Sequence, residues 1–383
     1  MRLGIISDCI HVHTAEGAAA SEVHIFVRQM EALAKHFDEV YICCPFKRYD
    51  GKTPVTAYSN TNIHFVPLPE VGGNNLSAKF KLLTTIPIWW KAFKTIDKLT
   101  DIVYQRFPNN LNIPGFLYFW LQKKKVFATY TGTWGKHAEP LTYTFQKWLL
   151  KKYFRGPVWV YADLKAPEGN IYGGFSPSYS MTEWNEETEQ VAQRIANIQQ
   201  HGLQSLRMIS VGTFIDYKNQ QYILDTCLQL QQQQIPFHLY LVGGGPLMEQ
   251  YQQFITQYQL EEQITLTGKM TYGELRKLYR QTDLVVQSPL SEGFGKVPIE
   301  GYFHGTIPVI NNLTMAQYIT GNGQRGYLFD VQDKSALLQT LKGIYADSSQ
   351  LPNMITDGRN FAKALTLEAW AEGYYKTITS YFA

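Results

Sequence analysis

Charge is scarce in this chain: Asp, Glu, Lys and Arg make up 17% of its 383 residues. Together with 45% hydrophobic residues, that composition belongs to packed domains and excludes a disordered chain. Cysteine is scarcer still. Cys9, Cys43, Cys44 and Cys227 show neither CxxC nor Cys/His metal spacing, which points to buried, reduced thiols in a cytosolic protein. Long hydrophobic runs are missing as well. The charge-free stretches are broken by Pro, Asn or Gly and fall short of about 18 apolar residues, so no spanning helix is expected. The opening MRLGIISDCI has no long apolar core and no small-residue cleavage site, and reads as a first strand. Net charge is +3, but it is uneven. Residues 1–180 hold 21 Lys+Arg against 13 Asp+Glu, whereas residues 181–383 hold 14 against 19. A basic N-terminal half suits an anionic partner or a membrane surface; a solvated surface accounts for it equally.

The length suits two domains. Leu3–Ile6 reads as a buried strand, AEGAAAS as a loop, Glu22–His36 as a helix and Val40–Cys44 as a second strand ended by Pro45. That is the start of a parallel α/β domain, expected over residues 1–190. A polar stretch, EWNEETEQVAQRIANIQQHG, then leads to a second α/β domain, expected over 205–360. Five strands are expected in it, at Met208–Val211, His238–Val242, Gln263–Thr267, Leu284–Gln287 and Ile307–Ile310, making a doubly wound sheet. The segment 361–383 reads as an aromatic-rich helix that returns to the first domain.

Ligands of open parallel sheets bind outside the carboxyl ends of the strands. The glycines of the second domain gather there: Gly212, Gly243–Gly245, Gly268, Gly293 and Gly295. The stretch SEGFGKVPIE (Ser291–Glu300) follows the fourth of these strands. Its loop carries Glu292, a helix is expected to start near Lys296–Pro298, and Glu300 falls about one turn in. Free amides at a helix start attract phosphate or sugar oxygens, and glycines let a ligand approach the backbone. A carboxylate can accept from two vicinal hydroxyls, so each glutamate could read one sugar. No His, Asp or third carboxylate clusters beside them, which weakens a metal reading. A loop glutamate and a dipole-favoured helix glutamate account for the pair without any chemistry.

SEGFGKVPIE resembles the E-x7-E motif of retaining GT-B glycosyltransferases, glycosyltransferase family 4 in particular. TDLVVQSPLSEGFGKVPIEGYFHGTIPVI, ISVGTFIDYKN and LYLVGGGPLMEQY resemble that family's blocks, in order, over most of residues 206–330. The resemblance implies two Rossmann-like domains facing a cleft, with the donor held by the C-terminal one. It implies that Glu292, with the Gly293, Phe294 and Gly295 amides beside it, contacts the transferred sugar. Glu300 would take the nucleotide ribose, and Lys218 would neutralise the diphosphate. Gly243 and the segment Lys269–Met270 would complete the donor site, the latter near the base. Two departures stand out. The family arginine five residues before the lysine is Thr213 here, and the paired glycines of the first loop shrink to Gly17. The implied activity is metal-independent, retaining transfer from a nucleotide-sugar to a glycan or lipid-linked acceptor, with no cofactor and no nucleic acid.

Rivals are a GT-B nucleotide-sugar epimerase, a non-catalytic relative that binds sugar nucleotides, and a nicotinamide-dependent dehydrogenase. GGGP lacks the full GxGxxG of the last. On the acceptor side, His137 in TYTGTWGKH is a candidate for the sugar, and His11 and His13 flank the end of the first strand, where they could line the cleft or be loop residues only. The stretches 78–98 and 145–155 mix lysines with Phe80, Trp89, Trp90, Phe93, Trp148 and Tyr153. They suit either core-facing helices or peripheral contact with the inner membrane face from the cytoplasm.

Overall fold

The computed structural model describes residues 1–70, 76–134, 140–164, 166–313 and 315–383, with side chains of the helix Leu76–Leu99 described from Thr85 onward. Two compact units result: Met1–Ser178 with Leu367–Ala383, and Tyr179–Thr366.

Among the described residues, ten strands form the sheet of the first unit. They are β1 Leu3–Ile6, β2 His11–His13, β3 Ala19–Ser21, β4 Val40–Phe46, β5 Thr56–Ala57, β6 Ile63–Pro69, β7 Ile102–Phe107, β8 Lys125–Thr133, β9 Val158–Tyr161 and β10 Ile171–Gly173. β6, β4, β1, β7, β8, β9 and β10 lie side by side and parallel. Side chains alternate across such strands. Leu3 and Ile5 of β1 therefore join one core with helix α1 (His24–Ala34) and the C-terminal helix Leu367–Tyr381. Ile6 joins the other, with helices α2 (Leu76–Leu99), α3 (Asn112–Leu121) and α4 (Leu141–Lys152). Gly4 faces the same side as Ile6, and a Cβ there would stand 2.5 Å from Ile96, so α2 can approach β1 closely only over a glycine.

Three local expectations are corrected in this unit. AEGAAAS is not a plain loop: Ala19–Ser21 pairs antiparallel with His11–His13 as a hairpin. Pro45 does not end its strand. β4 continues to Phe46 because β1 stops opposite Cys43 and leaves β6 to carry the ladder, and a proline is tolerated on so thinly paired a strand. His11 is not a ligand candidate, since it is fully buried. It is bonded to the Cys9 carbonyl and the Tyr58 hydroxyl and ringed by Phe26, Phe46 and Phe65. Burial holds its pKa down to about 4, so it packs as a neutral ring.

The second unit has six parallel strands among its described residues: β11 Leu206–Val211, β12 Phe237–Val242, β13 Ile264–Gly268, β14 Leu284–Gln287, β15 Ile307–Asn311 and β16 Tyr327–Phe329. Their order is β13-β12-β11-β14-β15-β16. Read from the first strand of the unit, that is the 3-2-1-4-5-6 order of a Rossmann sheet, with its switch point between β11 and β14. The sixth strand was not among the five expected, because three residues at a sheet edge give too short a pattern to read. Helices α5 (Met181–Glu186), α6 (Thr188–His201), α7 (Gln220–Gln232), α8 (Met248–Gln257), α9 (Tyr272–Tyr279), α10 (Lys296–Phe303), α11 (Ala316–Thr320), α12 (Ala336–Ala346) and α13 (Leu351–Lys363) complete the unit.

The expected boundary at residue 190 differs from the break at Ser178/Tyr179. The polar stretch is not a linker but α5 and α6, built into the second unit. Buried Arg194 donates to the carbonyls of Tyr279, Arg280, Thr282 and Gly305, and so caps the end of α9. Buried Glu187 accepts from both Arg276 and Arg280. Charges buried this deeply persist only where they are paired.

Candidate functional site

The carboxyl ends of β11 and β14 meet at the switch point, and the loops leaving them are stitched together. After β11 the chain makes a single 3-10 turn, Asp216–Lys218, that ends on Asn219 in the left-handed region (φ 55°). Asparagine tolerates that conformation better than most residues. Its side chain donates to the Ser288 carbonyl at 3.1 Å, and the Ser288 hydroxyl donates back to the Asn219 carbonyl at 2.7 Å. Leu290 N–H also donates to the Tyr217 carbonyl at 2.7 Å. These bonds fix the two loops to each other, and Lys218 and Glu292 project from them.

Lys218 Nζ donates to Glu292 Oε2 at 2.5 Å. The side chains are 20% and 32% exposed, so the pair is open to solvent and to a ligand. Glu292 Oε1 accepts from the Gly293 N–H at 3.2 Å. Two residues on, Gly295 stands at φ 76° as the N-cap of α10, where a side chain would be strained. The first turn of α10 opens with Lys296, Val297 and Pro298, and it borders the same cavity as Glu292. A cation, a carboxylate and a helix start thus converge within one loop pair. Such a group can hold an anion at the helix start and hydroxyls on the carboxylate.

The glycine turn after β12 packs against the same region. A Cβ on Gly243 would stand 1.9 Å from the Gly212 carbonyl oxygen, and one on Gly245 2.6 Å from that of Phe214. Only glycine permits the β11 and β12 loops to touch in this way. Phe214 N–H donates to the Gly244 carbonyl and Gly243 N–H to that of Gly268, which extends the stitched rim to the end of β13. Lys269 is exposed on that rim, and Met270, half-buried, packs on the apolar cluster of Ile209, Val242 and Val285. Thr213 is exposed after β11, its carbonyl accepting from Gln220. A hydroxyl there can hydrogen-bond but cannot cancel charge.

Glu300 is placed differently from Glu292. It sits in α10, 7% exposed, and its Oε2 accepts from the Tyr279 hydroxyl at 3.3 Å. Tyr279 is itself fully buried and stacks on His304 at 5.2 Å. Gly17 belongs to the first unit, in the turn of the β2–β3 hairpin, with its N–H donating to the Thr14 carbonyl. His137 lies outside the described residues, and His13 is exposed at the end of β2.

Sequence reading had missed Asn219, Ser288 and Tyr279. The signal for Asn219 was its place after DYK, where a short polar residue often takes the left-handed turn; Tyr279 had no signal, because its partner is 21 residues away. No cluster of three metal-binding side chains occurs among the described residues.

Residues 192–361 match the family model described as Glycosyl transferases group 1. An uncharacterized glycosyltransferase of Methanocaldococcus jannaschii is 23% identical over 166 residues, 43% of this chain and 46% of that protein. The lipopolysaccharide core biosynthesis glycosyltransferase LpsE of Rhizobium meliloti is 21% identical over 174 residues, 45% of this chain and 49% of that protein. The matched stretch thus spans less than half the length of either relative. In fold the likeness covers the whole chain. The crystal structure of Anabaena HepE in complex with UDP and glucose matches with a TM-score of 0.71 at 14% identity, over 99% of this chain and 100% of that one. This chain therefore has the GT-B fold, and the group 1 glycosyl transferase model matches it over residues 192–361 of the second unit.

Proposed function

We propose that this chain is a retaining glycosyltransferase that moves a sugar from a nucleotide-sugar to a glycan or lipid-linked acceptor without a metal ion. The observation that carries the reading is the meeting of Lys218 and Glu292 at the switch point, beside the Gly295-capped start of α10. As the bond from the sugar to the diphosphate breaks, negative charge grows on the leaving nucleotide and positive charge on the ring. Lys218 and the α10 amides stabilise the first, and the Glu292 carboxylate binds the sugar hydroxyls and faces the second. The acceptor hydroxyl adds to the face the diphosphate leaves, and its proton passes to the departing phosphate oxygen.

Entry of the diphosphate gives Lys218 a second anion to serve, so the ion pair with Glu292 loosens as the donor seats. Glu300 reads the ribose, held by Tyr279. A relative named for lipopolysaccharide core biosynthesis and a structure holding UDP and glucose support an acceptor and donor of these classes. The basic first unit fits peripheral contact with an anionic membrane at the cytoplasmic face. Among the described residues no helix is long and apolar enough to cross a membrane.

The test is a panel of UDP, GDP, ADP and CMP and their sugars, read as thermal shift with and without EDTA. A ligand at about 100 times its dissociation constant stabilises by roughly 2.7 kcal/mol. One nucleotide should shift the midpoint, and its sugar should be consumed equally with and without EDTA. No shift with any of them, or loss of turnover in EDTA, would refute the reading.

A further inference from the structure

A cavity of about 40 Å³ opens beside Glu292, between the loop Glu292–Gly295, the first turn of α10 and the segment that follows β15. Its far wall is built by Leu313, Met315, Ala316 and Ile319, and Phe294 and Val297 close the near side. Phe294, Met315, Ala316 and Ile319 are all buried. Two amides also border it, each with its nitrogen engaged elsewhere. Asn311 Nδ2 donates to the Pro289 carbonyl at 2.7 Å and its Oδ1 accepts from Val331 N–H. Gln287 Nε2 donates to the Val211 carbonyl at 3.3 Å. The cavity therefore has a polar mouth at Glu292 and an apolar floor, with room for about one methyl-sized group.

We propose that this cavity takes a methyl-bearing substituent of the donor sugar, an N-acetyl group or the methyl of a 6-deoxy sugar, and so selects against plain hexoses. The inference rests on Glu292 reading the transferred sugar. A hydroxyl or hydroxymethyl group directed at the same floor would lose its water and meet the apolar side chains of Leu313, Met315 and Ile319, which is costly. A methyl loses nothing there and gains contact with Met315 and Ile319. Discrimination by a single methyl in an apolar pocket amounts to about 10- to 200-fold.

The test compares dissociation constants for donors matched in nucleotide and ring configuration. One arm sets UDP-N-acetylglucosamine against UDP-glucose, the other GDP-6-deoxymannose against GDP-mannose. At least one methyl-bearing donor should bind about tenfold or more tighter than its partner, and the arm that shows it names the substituent. Ala316→Leu, which fills the floor, should erase that preference while leaving affinity for the free nucleoside diphosphate unchanged. Met315→Ala, which enlarges it, serves as the second variant and should weaken the methyl-bearing donor alone. Equal affinity within both pairs, with the free nucleotide bound, would overturn the cavity's role and leave the transferase reading standing. A ratio unmoved by Ala316→Leu would overturn it too. Failure of every nucleotide and nucleotide-sugar to bind would refute the donor site itself, and this inference with it.

Discussion

At the scale of single residues, the two glutamates of SEGFGKVPIE separate by environment. Glu292 is on a loop, open, and ion-paired with Lys218; Glu300 is buried on a helix and accepts from one tyrosine hydroxyl. Replacing Glu292 by glutamine keeps the shape and removes the charge that faces the sugar ring. We expect turnover to fall about 100-fold or more. Nucleoside diphosphate affinity should hold or rise, since Lys218 no longer has a competing anion. Steady-state kinetics beside calorimetry checks both, and a parallel fall in nucleotide affinity would reject the role. Glu300→Ala should instead weaken nucleoside diphosphate binding about tenfold or more, the value of a hydrogen bond to a charged group. Tyr279→Phe removes only a 3.3 Å bond and should cost a few-fold at most. Unchanged affinity in Glu300→Ala would show that this carboxylate serves the fold instead.

At the scale of elements, much was legible because it is local. Strands such as Leu3–Ile6 and Leu284–Gln287 are short apolar runs with sharp ends, and the structure places both at those bounds. What could not be read is what distant partners decide. The hairpin at Ala19–Ser21 exists because His11–His13 returns beside it, and α6 joins the second unit because Arg194 finds four carbonyls there. The two amphipathic stretches divide in the same way. Trp89 and Phe93 turn into the core, whereas Trp90 is 37% exposed. On α4, Leu149 and Leu150 are buried, but Leu141, Phe145 and Trp148 stand open, at 87%, 45% and 45% exposure. Lysines 147, 151 and 152 share that helix, and Arg155 lies over the ring of Trp120 at 4.7 Å. Exposed aromatics beside cations suit the interface of an anionic bilayer. Lys151→Glu with Arg155→Glu should therefore reduce co-sedimentation with anionic vesicles, by about 1 kcal/mol per charge removed. Equal sedimentation of the wild type with anionic and neutral vesicles would dismiss the interface.

At the scale of the whole molecule, the two units differ in how the chain builds them. The second is one continuous segment, Tyr179–Thr366, whereas the first needs the C-terminal residues Leu367–Ala383 to be complete. That helix is no ornament to its core. Tyr374 stacks on Trp159 with centroids 3.8 Å apart, and its hydroxyl bonds the buried Thr129 at 3.1 Å. Leu367, Trp370 and Ile378 are buried in the same cluster as Ile5, Ile42 and Tyr104. Burying a large aromatic or aliphatic side chain contributes about 1.5–3 kcal/mol, so losing four of them rivals the 5–15 kcal/mol that holds a typical domain together. Ending the chain at Thr366 should consequently unfold the first unit and spare the second. Limited proteolysis should then cut within residues 1–178 and leave a fragment beginning near Tyr179. That fragment should bind the same nucleoside diphosphate as the full chain, because Lys218, Glu292, Glu300 and the glycine turns all lie inside it. Transfer should vanish with the first unit. If the truncated chain instead keeps a protected first unit, the C-terminal helix is dispensable to it; if the fragment loses the nucleotide, the donor site does not reside in the second unit.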